Sequence, residues 1–217
     1  MRTARLVCVG RLSRSTRLIL IACHGYGEDV ARFAEAFAGL PDDVVVLCPE
    51  GLSRFYWGKF TGRPVSSWMT SLERDSEIED FCAWLDRVYV LAKAAAPDAR
   101  VCAFGFSQGA ATVMRWLHAR RPAVDSVVLW SGTPPEDITY EPAAYFANLQ
   151  RLANWGDADE LVAWERAKVR FDEVQLKFEH HHFNGGHSIP AAPLASLIEE
   201  LRAALTDPTM KVPGLRP

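Results

Sequence analysis

The sequence has no apolar run long enough to cross a membrane, no block of like charge, no low-complexity tract and no Cys-x-x-Cys pair. Each absence removes a class of function. The early apolar run from Leu18 to Cys23 is far short of a membrane span or a signal-peptide core, and Arg2 and Arg5 precede no long apolar stretch. Lys and Arg number 24 against 27 Asp and Glu, a net charge of −3. No basic field is therefore available to hold nucleic acid or an anionic membrane. Five cysteines, Cys8, Cys23, Cys48, Cys82 and Cys102, are an odd count lying mostly inside apolar segments. They predict reduced, buried thiols rather than a disulfide framework. A cytoplasmic protein without nucleic-acid partner or stable membrane insertion is expected; a homodimer is left open.

What is present is a core-forming chain. Its 217 residues are 49% hydrophobic, which suits one α/β domain over residues 1–217. Apolar runs alternate with helical patterns. Strands are predicted at Leu6 to Val9, Leu18 to Cys23, Val44 to Cys48, Val101 to Phe104, Val127 to Trp130, Leu149 to Trp155 and Val174 to Phe178. Helices are predicted at Asp29 to Ala38, Leu72 to Ala96, Gln108 to Arg120, Asp159 to Val169 and Pro190 to Leu205. This alternation implies a mostly parallel central sheet with helices on both faces. The tail from about Asp207, rich in proline, is expected to be loosely held. Residues 49–71 form a long loop carrying Tyr56, Trp57, Phe60 and Trp68; loops of this length are often functional.

One pentapeptide carries chemistry. Gly105-Phe106-Ser107-Gln108-Gly109 follows an apolar strand and opens a helix. It is the G-x-S-x-G pattern of a nucleophile elbow, a sharp turn that lifts a serine hydroxyl above the sheet. Serine needs a general base, and the base an orienting acid. Both lie downstream in enzymes built on this elbow. His187, in Gly185-Gly186-His187-Ser188, follows the last predicted strand and is the candidate base. His118 lies inside the elbow helix, and His180, His181 and His182 read as a solvated strand end. Asp125, Asp137, Asp157, Asp159 and Asp172 are candidate acids. Asp157 and Asp159 stand at the favoured sheet edge, and spacing does not choose between them. Two backbone N–H groups should hold the oxyanion. Gln108, next after the serine, and Tyr26, in the glycine-flanked loop after Leu18 to Cys23, are assigned to this. His24 is expected to brace that loop. His180, His182 and His187 have no carboxylate or cysteine at metal-ligand spacing, so neither metal nor cofactor is expected.

His24-Gly25-x-Gly27, the elbow, Gly156-x-x-Asp159 and Gly186-His187 occur in this order. Together they resemble the α/β-hydrolase family of small carboxylesterases, lysophospholipases and acyl-protein thioesterases. The resemblance spans residues 18 to about 205. It implies that Asp159 is the acid and Asp157 a loop residue. It also implies that Ser67-Trp68-Met69 lines an acyl pocket, to which Trp57 and Phe60 are added. No large lid is implied. Departures are Ala110 after the elbow, Trp155 before Gly156, and Glu160-Leu161-Val162-Ala163 after the acid. The activity implied is carboxylester hydrolysis on a small ester or thioester. Lysophospholipase or acyl-protein thioesterase activity is the alternative within enzymes. A non-catalytic scaffold binding a small ligand or partner is the alternative outside them.

Overall fold

Runs without a polar face belong in the middle of a layered structure. Leu18–Cys23 and Val44–Pro49 bury every residue. The computed structural model describes residues 3–58, 61–140 and 144–204. The strands are β1 (Leu6–Val9), β2 (Leu18–Cys23), β3 (Val44–Pro49), β4 (Ser53–Phe55), β5 (Val65–Ser67), β6 (Arg100–Phe106), β7 (Ser126–Trp130), β8 (Gln150–Gly156) and β9 (Glu179–Phe183). The helices are α1 (Val30–Glu35), α2 (Arg74–Ala95), α3 (Gln108–Arg120), α4 (Ala144–Ala147), α5 (Trp164–Glu173) and α6 (Ala191–Ala203). Seven strands pair in the order β1-β3-β2-β6-β7-β8-β9. Only β1 runs antiparallel to its neighbour.

Strand alternation divides the core in two. Ile19, Ile21 and Cys23 of β2 face a core built with α2, α3 and α5. Leu18, Leu20 and Ala22 face a second core with α1 and α6. The sheet is thus covered on both faces. The chain moves from β2 outward to β3, then crosses back to lay β6 on the other side of β2. The C-terminal ends of β2 and β6 therefore flank a topological switch point, where such sheets open a crevice. Among the described residues no helix is long and apolar enough to cross a membrane.

Several boundaries differ from expectation, each for a local reason. The apolar stretch Val174 to Phe178 is not a strand. Val174, Leu176 and Phe178 pack into the core beneath α5, and the strand is the next segment, Glu179–Phe183. β9 is polar because it is a sheet edge with exposed positions. α5 begins at Trp164 rather than Asp159. The Asp159 carboxylate accepts the N–H groups of Leu161 and Val162, both at 3.0 Å, and this holds the segment as a turn. The 49–71 loop contains the antiparallel β4–β5 hairpin. Phe60 and the tail from Asp207 lie outside the described residues. Four cysteines are buried as expected, but Cys8 on β1 is exposed.

The start of α3 rests directly on β2. A Cβ on Gly109 would stand 2.0 Å from the Cys23 carbonyl oxygen. Gly109→Ala must push the helix off the strand. It is expected to cost about 1–3 kcal/mol of stability, the range for forced overpacking. Urea unfolding checks this, and an unchanged midpoint would contradict the contact.

Candidate active site

Ser107 stands between β6 and α3 with φ 53° and ψ −117°. A non-glycine residue at positive φ is strained. Its N–H donates to the Trp130 carbonyl at 2.9 Å, and its own carbonyl accepts from Ala110 at 3.0 Å. The strain is therefore paid for by bonds to β7 and α3. Gly105 is required because a Cβ there would come within 2.3 Å of the Gly109 oxygen. The Gln108 N–H is the first of α3, one of the donors that helix geometry leaves without an intrahelical partner. The Gln108 side chain points elsewhere. Its amide oxygen accepts from the Trp68 N–H at 3.2 Å, and its Nε2 donates to the Met69 carbonyl at 3.1 Å.

The loop after β2 is braced by His24, which is fully buried. Its Nε2 accepts from the Gly51 N–H and faces the Ser66 hydroxyl, both at 3.0 Å. Nδ1 therefore carries the proton and donates to the Gly25 carbonyl at 2.7 Å. A trans peptide points its N–H opposite to its C=O, and the described peptides are all trans. Fixing the Gly25 carbonyl on buried His24 thus turns the Tyr26 N–H away from the core. Glu28 holds the other side of the same residue, its carboxylate accepting the Gly25 N–H at 2.6 Å.

His187 and Asp159 come together. Nδ1 of His187 lies 2.8 Å from Oδ2 and 3.0 Å from Oδ1 of Asp159. Their side chains are 8% and 1% exposed, so the pair is shielded from water. Burial alone would raise the Asp159 carboxyl. The Val162 N–H and the His187 imidazole outweigh it and hold the group below its ordinary value. The segments after β8 and at the end of β9 are joined by backbone: Asp157 N–H donates to Phe183 and Ala158 N–H to Gly185, both at 2.9 Å. The His187 ring lies 4.9 Å from that of Phe106, the residue before Ser107. Asp157 pairs elsewhere, with His182 at 3.1 Å on the exposed side. His180 and His182 both meet the Trp164 ring edge-on, at 5.0 and 4.7 Å. The three histidines weighed as a metal site are thus occupied separately. The group that does converge is Glu179, His181 and Glu200 at the β9 edge, within 4.8 Å.

The expected pocket residues are differently placed. Trp68 is buried and donates its indole N–H to the His24 carbonyl at 2.9 Å. It supports the floor of the site instead of lining a pocket. Met69 is partly buried against the same core. Trp57 is 66% exposed and forms an aromatic cluster with Tyr26 and Phe55. Its ring occupies the space over Gly27, where a Cβ would approach to 2.4 Å. The cavity beside His187 measures about 460 Å³. Its walls include Phe33, Val65, Phe106 and Ile189, with Arg32 and Arg63 among the charged groups. Glu28, also on this wall, was not singled out from the sequence; its signal was a carboxylate three residues after a glycine whose N–H needs an acceptor.

Burial lowers His24 from 6.5 to about 4. The unfolded chain therefore binds more protons between those values, and stability must fall as pH drops through the window. The loss from this group is about 3 kcal/mol. The stability difference between wild type and His24→Gln should narrow from pH 6.5 to 4. Urea unfolding at several pH values checks this; a constant difference would contradict it.

The family model described as Serine hydrolase (FSH1) matches residues 50–196. No curated protein sequence matches the chain. Among solved structures, the chain is similar to Zea mays acyl-protein thioesterase 2, at 20% identity, 94% of this chain, 100% of that chain and a TM-score of 0.69. It is also similar to the Bacillus cereus carboxylesterase, at 18% identity, 93% and 94% coverage and a TM-score of 0.66. Esterase PE8 matches at 21% identity, 92% and 98% coverage and a TM-score of 0.65. These likenesses establish the α/β-hydrolase fold.

Proposed function

The chain belongs to the Serine hydrolase (FSH1) family, and from that premise we propose that it is a carboxylesterase working through an acyl-enzyme on Ser107. The observation that carries this reading is the shielded Asp159–His187 pair, whose imidazole lies 4.9 Å from the ring of Phe106, the residue before the strained serine.

In this reading His187 takes the Ser107 proton as the hydroxyl attacks an ester carbonyl. Asp159 fixes the imidazole tautomer through Nδ1–H and stabilises the imidazolium that forms. The N–H groups of Tyr26 and Gln108 receive the developing oxyanion, each contributing about 3 kcal/mol to the barrier. His187 returns the proton to the leaving alcohol. Water, activated by the same imidazole, then hydrolyses the acyl-enzyme and frees Ser107. Nothing in this cycle calls for a metal or cofactor. The likeness to an acyl-protein thioesterase makes thioesters the second substrate class to assay.

Hydrolysis of p-nitrophenyl acetate, butyrate and octanoate tests the proposal. Ser107→Ala should abolish turnover while circular dichroism stays unchanged. Asp159→Asn should lower kcat on the order of 10³–10⁴-fold by leaving the wrong tautomer. Asp157→Asn should stay near wild type, since its partner is His182. The reverse ranking would move the acid to Asp157. Activity that survives in Ser107→Ala would remove the serine from the mechanism.

A further inference from the structure

The catalytic cycle above gives no task to Glu28, a carboxylate at the site. Glu28 follows the oxyanion loop and lines the same cavity as His187. Its Oε2 accepts the Gly25 N–H at 2.6 Å. A Cβ on Gly25 would stand 3.1 Å from that oxygen and 3.2 Å from the Ser107 Cβ. Glu28 and the serine therefore both close off the space where a Gly25 side chain would stand. The Glu28 backbone is itself pinned, its carbonyl accepting the Ser66 N–H at 3.0 Å. Among the described residues no Lys or Arg side chain pairs with its carboxylate. We propose that Glu28 is a positioning residue of this active site, a second carboxylate that locks the oxyanion loop through Gly25 and sets its charge against the His187 imidazole.

The proposal rests on the roles given above to Ser107, Asp159 and His187. Gly25 is held at both ends, its N–H by Glu28 and its C=O by His24. The His24 bond orients the Gly25–Tyr26 peptide, and with it the Tyr26 N–H, while the Glu28 bond holds the peptide before it. The charge acts separately. Burial pushes the Glu28 carboxyl up from its ordinary value, while the Gly25 N–H and His187 draw it back. The carboxylate thus faces the imidazole across the cavity as well as holding the loop through Gly25. Other charges face the same space. Asp159 pairs with Nδ1, and Glu160 accepts the His187 backbone N–H at 3.4 Å. Asp29, Arg32 and Arg63 lie on the cavity wall, with Asp29 engaged by Arg63 at 3.0 Å. Glu28 is the acid among them that also holds the loop beside Ser107.

The two roles separate by substitution. Labelling of Ser107 by a fluorophosphonate probe is first measured in the wild type, then kcat/KM for p-nitrophenyl butyrate is followed against pH. Glu28→Gln keeps an oxygen for the Gly25 N–H and removes the charge. Its acid limb should move to lower pH by about half a unit or more. Glu28→Asp keeps the charge but withdraws it by one methylene. It should lose at least tenfold in kcat with its acid limb close to wild type. A Glu28→Gln profile with the wild-type limb, or wild-type turnover in Glu28→Asp, overturns the proposal while labelling of Ser107 leaves the esterase reading intact. Should Glu28→Gln not fold, Glu28→Asp alone decides. A wild type that neither labels nor turns over removes the parent reading, and this one with it.

Discussion

At the upper end of the sheet, main chain lies against main chain. Gly109 sits on the Cys23 and His24 carbonyls, Gly132 on the Ser107 carbonyl, and Gly156 on the Gly185 and Gly186 carbonyls. Each contact fails if the glycine acquires a side chain. The loops after β2, β6 and β7 are thereby fixed to one another, and the end of β8 to the loop after β9, by backbone geometry and not by adaptable side chains. The strained φ of Ser107 is tolerable only because this frame over-determines it. In the proposed mechanism two N–H groups must meet the carbonyl oxygen and the imidazole the serine hydroxyl, and that frame would supply the precision this needs.

Around it, polar groups are divided by burial. The sheet offers two neighbouring Asp–His pairs: Asp157 and Asp159 follow β8 and meet, respectively, His182 on β9 and His187 in the loop after it. Asp159–His187 is shielded, and its carboxylate is met by backbone N–H groups as well as the imidazole. Asp157–His182 stands in solvent, where an ion pair contributes little. The same residue types at nearly the same separation thus differ in strength because of their surroundings. His24 shows the complementary case. It is wholly buried, kept neutral, and spends both ring nitrogens on structure.

Much of this was legible in the sequence because it depends on local pattern. The central strands announce themselves as runs of buried apolar residues. The elbow announces itself through two glycines that flank a serine at a strand–helix junction. His187 was singled out by its glycines and by the end of the sheet it occupies, and the fold brings it to Asp159. β9 was misplaced by five residues because an edge strand need not be apolar, whereas Val174, Leu176 and Phe178 are apolar for the sake of α5. Spacing left Asp157 and Asp159 equivalent, since what separates them is a partner 28 residues downstream for Asp159 and 25 for Asp157. Trp68 resembled a pocket wall because buried aromatics and pocket aromatics share a composition. Glu28 was overlooked because its importance lies in one backbone N–H and in a cavity that only the fold creates.

The cysteines carry a last consequence. Cys23 and Cys48 lie in the central strands and are raised far from reactivity by burial; Cys82 and Cys102 are pushed up to about 12. A thiol reacts as its thiolate, so these four are chemically silent in the folded state. Cys8, exposed on the antiparallel edge strand, is the one thiol that a maleimide dye can reach. The native chain therefore carries a single attachment point, at the far side of the sheet from β9, for fluorescence or surface immobilisation that leaves Ser107 untouched.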